Sequence, residues 1–375
     1  MTNHPIRVGF VVHVMQVAGA EVLVRETIRR LGGEIAPTIF CLDRLGSIGE
    51  ELRRDGVDVV CLDRKPGWDW SVALRLAAEA KRRDIAVFHA HQYTPFFYAA
   101  LAKVRMGLDV RLILTEHGRH YPDLVSPLRR ALNRLVFDRL ADDVNACIGF
   151  SARALSRIDG FAGNRIRVIE NGIDVERYGP AEDRSTLRKE LGWPAGRRVL
   201  IHVARHHPVK DQATLLRGFA QFAPHRPDVD LVLVGDGPLR GDLEELGRSL
   251  GISDRLRFLG IRSDIPVLLR AADAFALTSV SEAASLTLLE AMATGLPVVV
   301  SAVGGNTEIV RDGLDGYHFP RGNAAECAKA IGRVFADPAN ADRLGRSGRA
   351  RTHERYRLDD TIDAYRSLYR RFWRR

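Results

Sequence analysis

Short apolar runs alternate with amphipathic stretches along most of the chain. The first run, residues 6–14, is almost continuously apolar and predicts a buried strand. The segment 22–31, VLVRETIRRL, then repeats its apolar positions at helical spacing. The alternation continues, with strands predicted at 38–41, 57–62, 87–91, 111–115 and 143–150. Helices are predicted at 49–55, 71–83, from the Gln92-Tyr93-Thr94 opening onward, and at 126–140. Asn171-Gly172 is a strong turn signal, and a proline- and charge-rich stretch, 178–196, follows it. A second series then begins, with strands at 198–203, 229–234, 256–259, 274–278, 298–300 and 316–319. The helices of this series start after Gly237-Pro238, at 264–272, near Ser285, at Asn306 and at 324–335, and a last helical region runs through Trp373. Strands alternating with helices predict parallel sheets covered on both faces. A chain of 375 residues is too long for one ordinary core, so two α/β domains are expected.

The most informative stretch is 279–310, SVSEAASLTLLEAMATGLPVVVSAVGGNTEIV. Glu282 falls in a small-residue loop and Glu290 in the helical run LTLLEAMA, which Ser285 caps and Gly295-Leu296-Pro297 ends. With only Ala283, Ala284 and Ser285 between Glu282 and the helix, backbone can approach a ligand closely. The free N–H groups of the first turn suit an anion, most often a phosphate. Leu286 and Glu290 share a face, and side chains lean toward the helix N-terminus, so Glu290 reaches back toward the same ligand. Four residues of helix rise about 6 Å, so the two carboxylates could hold two hydroxyl-bearing ends of one elongated molecule. A nucleotide-diphosphate sugar has that form.

The spacing of Glu282 and Glu290, followed by EAMATGLPVVVS and GGNTEIV, resembles the donor-site signature of family 4 of the retaining glycosyltransferases, which have the GT-B fold. The resemblance covers nearly the whole chain and is strongest in its second half. It implies two Rossmann-like doubly wound domains facing across a cleft, with a C-terminal helix crossing back to the first. On this basis residues 1–172 form an acceptor-side domain, 173–196 the linker, 197–355 the nucleotide-sugar donor domain and 356–375 the returning helix. It also implies that Glu282 contacts the donor sugar and Glu290 the ribose. The family usually has Gly-aromatic-Gly after the first Glu; here Ala283-Ala284-Ser285 stands instead, which puts the donor-sugar contacts in question. Arg205 and Lys210 match the family pair that grips the donor diphosphate, an arginine fork and a lysine point charge suited to a leaving diphosphate. Backbone around Phe258 and Leu259 is expected to hold the base, and backbone at Ala284, Ser285 and Leu286 to hold the donor.

In the first half, strand, Gly loop and helix mark the start of a phosphate-binding α/β unit, and Gly19 is taken as the backbone that approaches the donor. The polar cluster after the strand at 111–115 contains His117, to which the resemblance gives a place near the transferred sugar. Strand C-termini face the ligand crevice of an open parallel sheet, so His91 and Tyr93 are candidates for the acceptor side, with Arg119 and His120. The expected catalytic set is His117, Arg205, Lys210 and Glu282. These cations and the helix N-terminus could replace a divalent metal, so neither a metal nor another cofactor is expected beyond the nucleotide-sugar co-substrate.

Net charge is +9 and the isoelectric point about 9.7, which favours anionic partners. The arginines are spread over most helices rather than gathered in a stripe, which argues against nucleic acid. Acidic lipid headgroups fit better; generally solvated arginines fit equally well. The segment 126–140 leaves both open: it sets an apolar stripe (Leu128, Leu132, Leu135, Val136) beside Arg129, Arg130 and Arg134, as either a membrane-resting helix or an ordinary surface helix would. No apolar run reaches eighteen residues and no signal peptide is evident. Cys41, Cys61, Cys147 and Cys327 are scattered without metal or disulfide spacing, which points to reducing cytosol. The location expected is cytoplasmic, with the inner face of the cytoplasmic membrane as a possible site of action. The predicted activity is retaining transfer from a UDP- or GDP-sugar to a hydroxyl, on a lipid-linked saccharide of exopolysaccharide or envelope glycan. Competing readings are a soluble acceptor, a GT-B sugar-nucleotide epimerase, a Rossmann dehydrogenase and a non-catalytic sugar-nucleotide binder. The dehydrogenase lacks its Gly-x-Gly-x-x-Gly after the first strand.

Overall fold

A computed structural model describes residues 4–105, 107, 109–118 and 126–373. The chain divides into two compact units, Met1–Asn171 with Asp359–Arg375, and Gly172–Leu358. The first holds a seven-stranded parallel sheet: β1 (Ile6–Val14), β2 (Ile35–Arg44), β3 (Asp58–Cys61), β4 (Val87–His91), β5 (Arg111–Glu116), β6 (Asp143–Ala146) and β7 (Ile166–Val168). Its spatial order is β3-β2-β1-β4-β5-β6-β7, so the direction of winding reverses between β1 and β4. The second unit holds six parallel strands: β8 (Arg198–Val203), β9 (Val229–Val234), β10 (Leu256–Phe258), β11 (Ala274–Leu277), β12 (Val298–Ser301) and β13 (Gly316–Phe319). Their order is β10-β9-β8-β11-β12-β13, with the reversal between β8 and β11. Both are doubly wound α/β sheets, and ligands of such sheets bind beyond the strand C-termini at the reversal.

The apolar runs form the strands because helices cover both faces and leave no polar side for alternation. In the first unit Phe40, Phe88, Phe96 and Phe137 are all buried in one core; in the second, Phe219, Phe222, Phe319 and Phe335 are. The sequence expectation failed at residues 143–150. Strand β6 stops at Ala146, and Gly149 opens a helix, Gly149–Ala154. Apolarity runs on through Cys147 and Ile148 because both remain buried beyond the strand end, so a pattern of burial was read as a pattern of extension. Strand β7 was missed, since arginines flank and interrupt its three residues. Helix Arg184–Glu190 lies within the proline- and charge-rich stretch and packs its arginines on Asp273.

Where the chain enters the second unit, Ile173 N–H donates to Tyr356 O at 2.9 Å and Leu358 N–H to Ile173 O at 2.8 Å. A Cβ on Gly172 would lie 2.2 Å from Arg357 O, so only glycine permits this approach. The last helix, Leu358–Trp373, belongs to the first unit from Asp359 onward. There Tyr369 hydroxyl reaches His89 Nδ1 at 2.6 Å in the buried interior. No disulfide joins Cys41, Cys61, Cys147 or Cys327 among the described residues.

Candidate functional site

In the second unit the site grows from two strand ends that adjoin at the reversal. After β8 the chain runs through Arg205 to Lys210 and then turns at Asp211, a non-glycine residue in the left-handed region (φ 45°, ψ 50°). That conformation costs roughly 1–2 kcal/mol and is tolerated best by Asp, Asn and Gly. Asp211 also caps the helix Gln212–Phe222, accepting from Thr214 N–H at 3.3 Å and Thr214 Oγ1 at 2.6 Å. After β11, Thr278 donates its hydroxyl to the carbonyls of Lys210 (3.0 Å) and Asp211 (2.9 Å), and Val280 N–H donates to Val209 O at 2.9 Å. The two loops are therefore stitched together through backbone. Lys210 Nζ stands 2.5 Å from Glu282 Oε2, and Ser279 Oγ donates to the same oxygen at 2.9 Å.

Arg205 lies on the same loop and is exposed; among the described residues its guanidinium makes no hydrogen bond or ion pair. Its carbonyl is held by Gln212 Nε2 at 2.9 Å, which also contacts His202 Nε2 at 3.3 Å. His202 Nδ1 donates to Ala276 O at 2.8 Å, and burial brings its pKa down to about 4, so this ring is neutral and serves as scaffold.

Ser285 caps the helix Leu286–Ala293, its Oγ accepting from Leu288 N–H at 3.4 Å. Ala283 is buried, Ala284 and Leu286 are half-buried, and Gly305 N–H donates to Glu282 O at 3.0 Å, which fixes the loop from its far side. Glu290 is half-buried one turn along. Desolvation raises its pKa to about 7, against the opposing pull of a hydrogen bond from Tyr178 and the charge of Arg177. Phe258 and Leu259 close the β9–β10 side. Leu259 N–H donates to Leu233 O at 2.9 Å, and Arg240 lies over the Phe258 ring at 5.7 Å. His206, fully buried, meets the Phe258 ring edge-on at 5.7 Å, and among the described residues neither of its ring nitrogens has a partner.

In the first unit, Gly19 opens the helix Gly19–Arg30 and is exposed; Ala18 before it provides no side-chain cap. His91 ends β4 and His117 follows β5. Their rings stack at 5.0 Å with His91 Nδ1 2.7 Å from His117 Nε2, while His91 Nε2 and His117 Nδ1 are buried without partners among the described residues. Burial lowers the pKa of His117 to about 4 and of His91 well below its ordinary value, so the pair shares one hydrogen bond between neutral rings. The turn into the next helix again passes through a positive-φ residue, Gln92 (φ 75°). Tyr93 donates its hydroxyl to Asn133 Oδ1 at 2.7 Å, and Arg129 covers its ring at 5.0 Å. Arg119 and His120 lie outside the described residues.

Residues 183–351 match the family model Glycosyl transferases group 1, and residues 17–177 match Glycosyltransferase Family 4. N-acetyl-alpha-D-glucosaminyl L-malate synthase of Bacillus anthracis is 30% identical over 306 residues, covering 81% of this chain and 79% of that relative. The chain is a family 4 glycosyltransferase. A second relative, the UDP-Gal:alpha-D-GlcNAc-diphosphoundecaprenol alpha-1,3-galactosyltransferase of Escherichia coli, is 31% identical over 209 residues, 55% of this chain and 54% of that one. Among solved structures, Anabaena Alr3699/HepE in complex with UDP superposes with a TM-score of 0.85 at 24% identity, over 97% of this chain and 99% of that one. At that identity the likeness concerns the fold, which is GT-B. Sequence reasoning about this glycosyltransferase missed Thr278, Gln212, His206 and Tyr178. Thr278 had a visible signal, a small hydroxyl residue directly after a buried strand and before the signature loop. Tyr178 had none, because it stands more than a hundred positions from the carboxylate it touches.

Proposed function

We propose that this glycosyltransferase moves a sugar from a UDP- or GDP-sugar to a hydroxyl acceptor with retention of anomeric configuration. The observation that carries the reading is the meeting of Lys210 with Glu282 at the β8/β11 reversal, beside the capped helix that bears Glu290. Lys210, the exposed Arg205 and the N–H groups around Ser285 neutralise negative charge growing on the leaving diphosphate. With those groups in place no divalent metal is required. Glu282 orients the donor sugar through its hydroxyls, and Glu290 takes the ribose hydroxyls. His117 and Gly19 are assigned to the transferred sugar, and His91 and Tyr93 to the acceptor. In the reaction the bond from the anomeric carbon to the diphosphate oxygen breaks as the acceptor oxygen bonds that carbon on the same face. The acceptor's proton passes to the departing phosphate oxygen.

A lipid-linked saccharide of exopolysaccharide or envelope glycan synthesis is the acceptor we favour. The undecaprenol-linked acceptor in the name of the Escherichia coli relative supports it. A soluble small-molecule acceptor is the second reading, supported by the L-malate in the name of the Bacillus anthracis relative. The test is a screen of UDP- and GDP-sugars scored by nucleoside diphosphate release, run with a lipid extract, with small hydroxy acids and with neither. An acceptor-dependent release and a product of unchanged anomeric configuration by NMR are expected. Inverted product would end the retaining assignment, and a changed sugar in the donor-only arm would make the protein an epimerase.

A further inference from the structure

The helical segment 126–140 is built inside out. Leu128, Leu132, Leu135 and Val136 fall at the spacing that places apolar side chains on one face, and that face normally turns to the core. Here it turns to solvent: Leu128 is 80% exposed and Leu135 61%. The buried side joins Phe137 to a set of polar groups. Asn133 is fully buried, donating to Asp159 O at 2.8 Å and accepting from Tyr93, while Arg129 pairs with Asp159 at 2.6 Å. Asp138 turns inward to Arg165 at 3.1 Å. Hydrogen bonds and ion pairs thus fix which way this segment faces, and its apolar stripe is left to water.

A second apolar feature adjoins it. Trp68 and Trp70 are 74% and 62% exposed and stack on each other at 5.8 Å. Phe97 connects the two features, its ring 5.3 Å from Trp68 and 5.4 Å from Phe137, which anchors the underside of the helical segment. The exposed charge of the segment is basic. Arg130, Arg134 and Arg139 face solvent, whereas Asp138 is buried against Arg165 and Arg129 is paired with Asp159. Beside the tryptophans, Asp69 is taken up by Ser71 and Arg75.

We propose that this face, Trp68 and Trp70 together with the Leu128–Val136 stripe, docks on an anionic phospholipid bilayer. Tryptophan at headgroup depth, leucines below it and arginines at the rim are the composition of an element lying in the membrane interface. A second copy of the chain fits poorly, because a two-fold contact would press two arginine-rimmed faces together. Among the described residues no helix is long and apolar enough to cross a membrane. The inference does not rest on the acceptor being lipid-linked.

The experiment pellets the full chain with vesicles of phosphatidylcholine alone and of phosphatidylcholine mixed with phosphatidylglycerol. Co-sedimentation with the anionic mixture, a blue shift of tryptophan emission and release by high salt are expected. Arg130→Gln with Arg134→Gln should weaken binding about twenty-five-fold, each arginine near an anionic surface being worth roughly fivefold. Leu128→Ser with Leu135→Ser should abolish it. These positions are exposed, so thermal melting and nucleotide binding serve as controls and should not move. Failure of the wild type to pellet, or equal pelleting of all variants, overturns the proposal. So does a dimer by light scattering that the leucine variant dissolves, since the stripe would then join two copies.

Discussion

Lys210 Nζ lies 2.5 Å from Glu282 Oε2, although seventy-two positions separate the two residues. The chain spans that distance by leaving β8, building β9 and β10 on one side, and returning to lay β11 on the other. Both residues are partly buried, and for such a pair desolvation offsets most of the mutual attraction. The pair therefore adds little to stability, and its arrangement fits a held cation better than a structural brace. Replacing Lys210 by Ala should lower the transfer rate by about tens to thousands of fold. It should also destabilise the fold by roughly 1–3 kcal/mol by leaving Glu282 uncompensated. Lys210→Ala with Glu282→Ala should recover the stability and not the rate. Wild-type turnover in Lys210→Ala would remove the lysine from the chemistry.

Glu290 gives nucleotide binding a pH dependence. Its pKa of about 7 in the free protein means that half the carboxyl is protonated at neutrality. If the carboxylate accepts ribose hydroxyls, affinity should fall about tenfold from pH 8 to pH 6, one proton being taken up on release. Glu290→Gln should bind more weakly at pH 8 and lack this slope, and the comparison cancels titration of the ligand's own phosphates. Calorimetry at three pH values decides it. Parallel pH profiles for the two proteins would refute the ribose role.

The same group has an opposite effect on stability. Its folded pKa lies above the ordinary 4.5, so its contribution is present below 4.5 and lost as pH rises through 7. Glu290→Gln should therefore gain on the wild type by an amount on the order of 2 kcal/mol between pH 5 and pH 8. Denaturant midpoints at those two pH values measure the difference. Tyr178→Phe, which removes the opposing hydrogen bond, should raise the Glu290 pKa further and shift the binding profile to higher pH.

The parts of this fold visible in the sequence were those governed by local pattern. Continuous apolar runs marked buried parallel strands, and the cap at Ser285 and the stop at Gly295 bounded their helix to within a residue. The Glu282–Glu290 spacing was legible because both lie on one short loop and helix. The Lys210–Glu282 contact itself was not, because only sheet order brings β8 beside β11. Nor could periodicity show that the stripe from Leu128 to Val136 faces outward. The spacing is the same for either orientation, and the choice is made by Asn133, Asp159 and Tyr93 from three different elements.

Asp211 carries two loads that substitutions can separate. Asp211→Gly keeps the left-handed turn but loses the cap, costing a few tenths to about 1 kcal/mol. Asp211→Ala loses the cap and also forces a side chain into positive φ, for roughly 2–3 kcal/mol in all. Since the turn aims Lys210, the Ala variant should also lose more turnover than the Gly variant. Thermal melts with initial rates test this order, and equal effects of the two would show that the conformation of this turn is not what matters.

Acid should unfold the first unit through its buried histidines. Hydrogen-bond polarity fixes the state of one of them. Asn145 Nδ2 donates to Asp143, Thr115 Oγ1 donates to Asn145 Oδ1 at 2.7 Å, and so His89 Nε2–H donates to Thr115 at 2.7 Å. Its Nδ1 is left to accept from Tyr369, the ring is neutral, and burial lowers its pKa to about 3. His91 and His117 are lowered too. A histidine with a depressed folded pKa costs nothing above 6.5; as pH falls below that, the unfolded chain gains a proton the folded one refuses. Each group then removes up to about 1.4 kcal/mol per pH unit. Three together outweigh the opposing trends of Glu21 and Glu290, whose pKa values burial raises, so stability should fall steeply from pH 6.5 toward pH 5. Tyr369→Phe should lower stability by about 1–3 kcal/mol at every pH by orphaning His89 Nδ1, whereas His91→Asn should flatten the acid slope by one proton. Denaturant titrations across that range separate the two effects, and an unchanged slope in His91→Asn would exclude that ring as a source of the acid sensitivity.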